Sequence, residues 1–297
     1  MTRSLADNEI IKIERYHMNT GLLSKVVFLL FCIELFSGCN VDILGCFYSE
    51  STPDSRFEES RTLEQPADIE TGENFSFIFV SDLHIANGVH HYLEGLKNQL
   101  NGAAFIVFGG DITQNGKKED VECFQREAAE LNIPYFTVPG NHDLYNGGWN
   151  RIKVLGPSSF SVRIGNNVRL ICLDSANGTL GEKQFAWLSS ELSKATEPIL
   201  IVATHVQFFK NTFIETQQMT EIEETALLLD LFAGRGVDLL LAGHSHRYEH
   251  TKIGTIDQYV SGAFLDGTDS ACYLFVTVEN GKINAKRKYY NTGASGN

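Results

Sequence analysis

Residues 104–111 read Ala104-Phe105-Ile106-Val107-Phe108-Gly109-Gly110-Asp111. An apolar run with β-branched residues at its centre is followed by two glycines and then a carboxylate. The run is short for a helix and suits a buried strand whose chain turns sharply as it leaves the sheet. Outward from it, Phe75 to Val80 leads to Asp82-Leu83-His84, and Ile133 to Val138 leads to Gly140-Asn141-His142-Asp143. Ile199 to Ala203 leads to His205, and Val237 to Leu241 to Gly243-His244-Ser245-His246. Helix-compatible stretches lie between, at Val89 to Leu100, Lys117 to Leu131 and Ile222 to Phe232, with a further helix marked by Phe185, Leu188 and Leu192. Asp82 to Asp111 and Asp111 to Asn141 each have the length of one βαβ unit. Ser159 to Ile164 and Val168 to Asp174 form a predicted hairpin through Gly165-Asn166-Asn167. The tail from Tyr259 through Tyr290 alternates like an antiparallel meander. The alternation predicts a layered α/β domain with no internal repeat and no second domain.

Three carboxylates, one carboxamide and five of the nine histidines lie in those strand-end segments. Ligands in α/β sheets gather beyond the carboxyl ends of strands. Taken singly, Asp82 or Asp111 reads as a turn former, His205 as a core histidine, and His244 with His246 as a solvent-facing pair. Together they read as a metal site, because an apolar core does not tolerate so many unpaired polar groups. Oxygen and imidazole donors suit Mn, Fe or Zn rather than an all-oxygen Ca or Mg cage. Two ions ~3.5–4 Å apart need a bridging carboxylate, and Asp111 is the lone carboxylate of its segment. His17, His90, His91 and His250 fall outside the segments and are expected at the surface.

In this order and spacing, Asp-x-His, Gly-Asp, Gly-Asn-His-Asp, His and Gly-His-x-His resemble the calcineurin-like metallophosphoesterase family over residues 75 to 250. The resemblance implies a four-layer α/β/β/α sandwich with two mixed β-sheets. It implies that Asp82, His84 and His246 hold one metal, that Asn141, His205 and His244 hold a second, and that Asp111 bridges. It implies a catalytic His142 that serves the leaving oxygen, oriented by Asp143, and attack of a metal-activated hydroxide on phosphorus with no phospho-enzyme. The cofactors implied are two divalent or trivalent transition-metal ions (Mn, Fe or Zn).

Within the family, Gln114 stands where purple acid phosphatases carry tyrosine, and too little chain follows His246 for the substrate domain of a dedicated 5′-nucleotidase. Gly110 to Gly116 resembles the cyclic-nucleotide phosphodiesterase-like branch, which implies a phosphodiesterase ahead of a monoesterase. The expected substrate is a small-molecule or lipid-derived phosphoester. A non-catalytic phosphate-ligand-binding envelope protein on the same scaffold is the alternative, as is a tethered structural protein. Phe208, Phe209 and Phe213 form either an apolar substrate wall or loop packing, and the loop from Asn146 to Ser158 with Trp149 is a candidate substrate lip.

The chain has 297 residues, 43% of them hydrophobic, enough for a sizeable core. Its formal charge of −13 argues against binding a nucleic acid duplex. It does not argue against an anionic substrate, because bound cations would dominate the local field. No Cys-x-x-Cys pair is present, so a thiolate zinc site is not expected. Val26 to Phe36 is an apolar run after Lys25, too short for a spanning helix of roughly 20 residues and suited to a signal peptide. Ser37-Gly38-Cys39 resembles a bacterial lipobox, with Ile43-Leu44-Gly45-Cys46 a second candidate and a signal anchor or packed helix the alternatives. The expected organisation is a leader at 1–38 (with Met18 as the alternative start), a disordered acidic tether at 39–74 and a catalytic domain at 75–291. Export to the bacterial envelope and a membrane anchor through lipidated Cys39 follow from that reading.

Overall fold

The computed structural model describes residues 51–210 and 218–290. The expected leader, Cys39 and Phe213 lie outside the described residues. The elements begin with helix α1 (Pro53–Ser60), strand β1 (Phe75–Val80), helix α2 (His91–Leu96), strand β2 (Ile106–Phe108), helix α3 (Lys118–Glu130) and strand β3 (Tyr135–Thr137). Then come helix α4 (Trp149–Ile152), strands β4 (Phe160–Ile164) and β5 (Val168–Cys172), helix α5 (Glu182–Lys194) and strand β6 (Ile199–Ala203). Helix α6 (Ile222–Arg235) precedes strands β7 (Leu239–Ala242), β8 (Glu249–Ile253), β9 (Ile256–Val260), β10 (Cys272–Glu279) and β11 (Lys282–Tyr289). Among the described residues no helix is long and apolar enough to cross a membrane.

Two mixed sheets form, in the orders β11-β10-β1-β2-β3 and β4-β5-β6-β7-β9-β8. Strands β1, β2 and β3 are parallel, and β10 joins the edge of β1 antiparallel. In the second sheet β5, β6, β7 and β9 are parallel, with β4 and β8 antiparallel at its two edges.

The period-2 alternation of β1 shows how the layers arise. Phe77 and Phe79 point between the sheets, where they join Phe105, Val107, Leu274 and Val276 against Val162, Leu170, Ile201 and Leu239 of the other sheet. Ile78 and Val80 point the opposite way, onto Leu93 and Leu96 of α2 and Val121 and Phe124 of α3. Outside the second sheet, Leu200, Val202 and Leu240 pack on Leu188 and Leu192 of α5 and Leu228 and Phe232 of α6. These faces make the four-layer α/β/β/α sandwich that the sequence predicts. Cys172 and Cys272 are buried and unbridged, as their apolar strands suggest.

Four expectations need correction. The tether at 39–74 is ordered where it is described: α1 docks through fully buried Arg56, whose guanidinium donates to Asp174 (2.7 and 3.1 Å) and to Asn177 (2.7 Å). After it, Ile69 bridges Ile164 at the sheet edge. The tail is not one meander, since β9 continues the second sheet while β10 and β11 complete the first. His90 is buried, accepting from Leu93 N at 3.1 Å to cap α2 while its other nitrogen meets Phe264 O at 3.2 Å. Trp149 is no free lip, for it is buried and its indole N–H donates to Glu59 of α1 at 2.6 Å. Phe208 packs against Phe232 and supports the loop-packing reading; Phe209 is 39% exposed.

Candidate metal centre

Three loops of the first sheet and two of the second converge. Asp82 and His84 follow β1, Asp111 follows β2, and Asn141 and His142 follow β3; His205 follows β6, and His244 and His246 follow β7. All five strands are parallel members of their sheets, so their carboxyl ends open on one edge of the sandwich. The first two loops zip together beyond the strands: Asp82 N donates to Gly110 O, His84 N to Asp111 O and Ile85 N to Ile112 O, all at 2.9–3.0 Å.

Two groups of donor atoms result. Asp82, His84, Asp111 and His246 offer ligand atoms within 4.8 Å of one another, and so do Asp111, His205 and His244. Asp111 belongs to both. Its Oδ2 stands 3.7 Å from His84 Nε2 and 3.3 Å from His205 Nε2, while its Oδ1 accepts from His142 N at 2.8 Å. Asn141 Oδ1 lies 3.1 Å from His205 Nε2, which places Asn141 beside the second group. All seven residues that the sequence marks as ligands are thus brought together.

The backbone is arranged for this. Asp82, His84, Asp111, His244 and His246 have φ between 49° and 70°. Left-handed backbone is uncommon outside glycine and costs about 1–3 kcal/mol per residue, a strain that clusters at functional sites. Gly110 has φ of 90°, and a Cβ there would stand 2.7 Å from His205 Nδ1. A Cβ on Gly140 would collide with Asp111 N and Oδ1. The glycines let two strand ends approach to contact distance.

Burial decides protonation. It pulls His84 down to about 3, and burial with the nearby His205 does the same to His244. His205 goes the other way: burial opposes its charge, but Asp111 and Asp82 raise it to about 9. Burial also works against an ionised Asp111, yet His205 and His142 hold that carboxyl well below its usual range. Asp82 is raised by burial. Neutral His84 and His244 thus stand beside an ionised Asp111, and a cation bound there would displace the proton that Asp111 and Asp82 favour on His205. His84 Nε2 lies 2.9 Å from His246 Nε2, and His244 Nδ1 lies 3.2 Å from His205 Nε2. Convergent nitrogen lone pairs beside carboxylate oxygens fit transition-metal ions. Buried His84 Nδ1 has no hydrogen-bond partner, so the ring is tied through Nε2 alone.

His142 lies against the cluster, its ring 4.5 Å from that of His84. Its orientation departs from the expectation. His142 Nδ1 bonds Gln114 O at 2.8 Å, and Asp143 is occupied elsewhere. The Asp143 carboxylate accepts from Ile112 N, Thr113 N, Thr113 Oγ1 and Gly140 N at 2.8–3.2 Å, clamping the Asp111 loop to the Asn141 loop. Burial with the charge of Asp111 raises Asp143 to about 6 against those donors. A carboxylate one residue beyond a histidine carries no sequence signal that separates ring orientation from loop clamping.

Comparison with known proteins fits this geometry. The family model "Calcineurin-like phosphoesterase" matches residues 75–248. A probable glycerophosphodiester phosphodiesterase of Arcobacter nitrofigilis is 29% identical over 188 residues, 57% of this chain and 66% of the relative. A 3′,5′-cyclic-nucleotide phosphodiesterase of Nostoc is 28% identical over 191 residues, 62% of this chain and 67% of the relative. The chain thus spans about two thirds of the length of either curated relative. Among solved structures, a dimetal phosphatase of Danio rerio aligns with a TM-score of 0.58 at 12% identity, over 73% of this chain and 99% of that one. At that identity the likeness is one of fold.

Proposed function

Because the chain belongs to the calcineurin-like phosphoesterase family, we propose that it hydrolyses phosphoesters with two transition-metal ions, phosphodiesters ahead of monoesters. The observation that carries this is the pair of donor groups sharing Asp111. Asp82, His84 and His246 would hold one ion, Asn141, His205 and His244 the other, and Asp111 both. Bound there, Mn, Fe or Zn would neutralise charge on the phosphoryl group and supply a nucleophile at neutral pH.

The chain's own residues do the rest. His142 donates from Nδ1 to Gln114 O, which fixes the ring and leaves Nε2 as the nitrogen that exchanges a proton with the leaving oxygen. Asp143 holds the Asp111 and Asn141 loops in mutual register. The diester preference rests on the resemblance of the Gly110 to Gly116 segment to phosphodiesterases. The names of both curated relatives point the same way.

The test is a panel of bis(p-nitrophenyl) phosphate and p-nitrophenyl phosphate under Mn, Zn and Fe, then cyclic nucleotides and phospholipid head groups. Asp111→Ala should lose metal and turnover. His142→Ala should keep metal and lose about 10²–10⁴ in rate. Full activity of Asp111→Ala on every ester would refute the proposal. The N-terminal pattern supports export and anchoring in a bacterial envelope through lipidated Cys39, with a small or lipid-derived substrate. Unchanged mass and membrane partition of Cys39→Ala would refute that part.

A further inference from the structure

Asn141 is the one carboxamide in the proposed set, and a carboxamide binds a cation only through its oxygen. Something must keep that oxygen turned toward the site. Asn141 Oδ1 faces His205 Nε2 at 3.1 Å, and on the other side Asn141 Nδ2 donates to the Tyr145 hydroxyl at 3.3 Å. If the amide flipped, its NH2 would face the donor cluster in place of the oxygen. The hydroxyl grips the outer end of the carboxamide and so fixes the plane in which Oδ1 is presented.

The same residue seats His142. The Tyr145 ring lies 4.6 Å from the His142 ring at 37°. Tyr145 is three residues beyond His142 and four beyond Asn141, one helical turn, so it shares a side with both. The turn ends there: Tyr145 has an extended ψ of 146° and Asn146 is left-handed at φ 55°. Tyr145 is 7% exposed, so hydroxyl and ring are held rather than waving in solvent.

We propose that Tyr145 is a positioning residue of the second metal position, its hydroxyl orienting the Asn141 carboxamide and its ring bracing the His142 imidazole. This deepens the reading of Asn141 as a ligand and rests on it. The prediction concerns binding, so it is read without turnover. Metal-stripped full-length protein is titrated with Zn²⁺ by calorimetry, as wild type, Tyr145→Phe, Asn141→Asp and the double variant.

Phenylalanine keeps the ring and removes the hydroxyl. Tyr145→Phe should weaken the second Zn²⁺ about 10–100-fold, the scale for a partner that orients a ligand, and leave the first unchanged. A carboxylate has two equivalent oxygens, so in the Asn141→Asp background the same substitution should change the second affinity less than about threefold. Equal losses in the two backgrounds would show a merely structural tyrosine and overturn the proposal, as would no loss beside Asn141. Wild-type protein that takes up a single Zn²⁺ would sink both this and the two-metal reading. Two ions bound without phosphoester turnover would sink the function alone.

Discussion

Replacing Arg56 with methionine should destabilise the protein by several kcal/mol, although Arg56 lies far in sequence from every ligand. Its side chain is fully buried and so is that of Asp174; two of its nitrogens reach the carboxylate at 2.7 and 3.1 Å. Methionine keeps the aliphatic stem and removes the charge, leaving Asp174 buried with Ala176 N at 3.2 Å as the donor that remains to its oxygens. Breaking a buried pair from one side costs about 3–5 kcal/mol. For a domain of this size each kcal/mol moves Tm by about 2–4 °C, so the expected fall is about 6–20 °C. Circular dichroism melts at pH 7 measure it. Adding Asp174→Asn removes the orphaned charge and should recover at least half of the loss. If Arg56→Met lowers Tm by less than about 2 °C, α1 is not held as described, and residues 51–60 belong to a tether after all.

Gly140→Ala should place a methyl group against Asp111 N and Oδ1 and spoil the bridging carboxylate. Metal content by mass spectrometry should fall well below two ions per chain, and an unchanged stoichiometry would contradict the close approach of the two loops. Glu197 gives a pH dependence. Burial pushes its carboxyl up, but Arg169, at 2.7 and 3.2 Å, outweighs it and holds the value below the ordinary glutamate range. A depressed carboxylate stabilises the fold above its unfolded value, and that stability drains away as pH falls through the folded value. Glu197→Gln should therefore be weaker by about 1–3 kcal/mol at pH 7, a gap that closes in acid. Urea titrations across pH 7 to 3 would show it, and a gap that widens in acid would reverse the sign.

The metal centre was legible because each ligand sits at a strand end, and apolar runs that stop at Gly-Asp or Gly-His announce themselves locally. The residues alone marked a layered α/β domain, and the four layers came from the family resemblance, because the unbroken apolar run Phe77-Ile78-Phe79-Val80 shows its two buried faces only once folded. What escaped depends on partners far away in sequence. Arg56 lies in a polar octapeptide, and the carboxylate that makes its burial tolerable is 118 residues on. Strand β8, Glu-His-Thr-Lys-Ile, is a polar edge strand with little apolar alternation to mark it. The tail changes sheets between β9 and β10, and residues 261–271 carry no signal for that crossing. Asp143 follows its motif but clamps loops, a task visible only once Thr113 and Gly140 are in place.

The left-handed backbone at His84, His244 and His246 has an evolutionary consequence. An imidazole on such a residue is a poor conformational choice, and glycine would relax it. A library selected for heat resistance alone should drift toward glycine at these three positions, yielding hardier molecules with their chemistry silenced. Survivors of such a selection would report, by what they discard, which parts of the chain were being kept for work rather than for endurance.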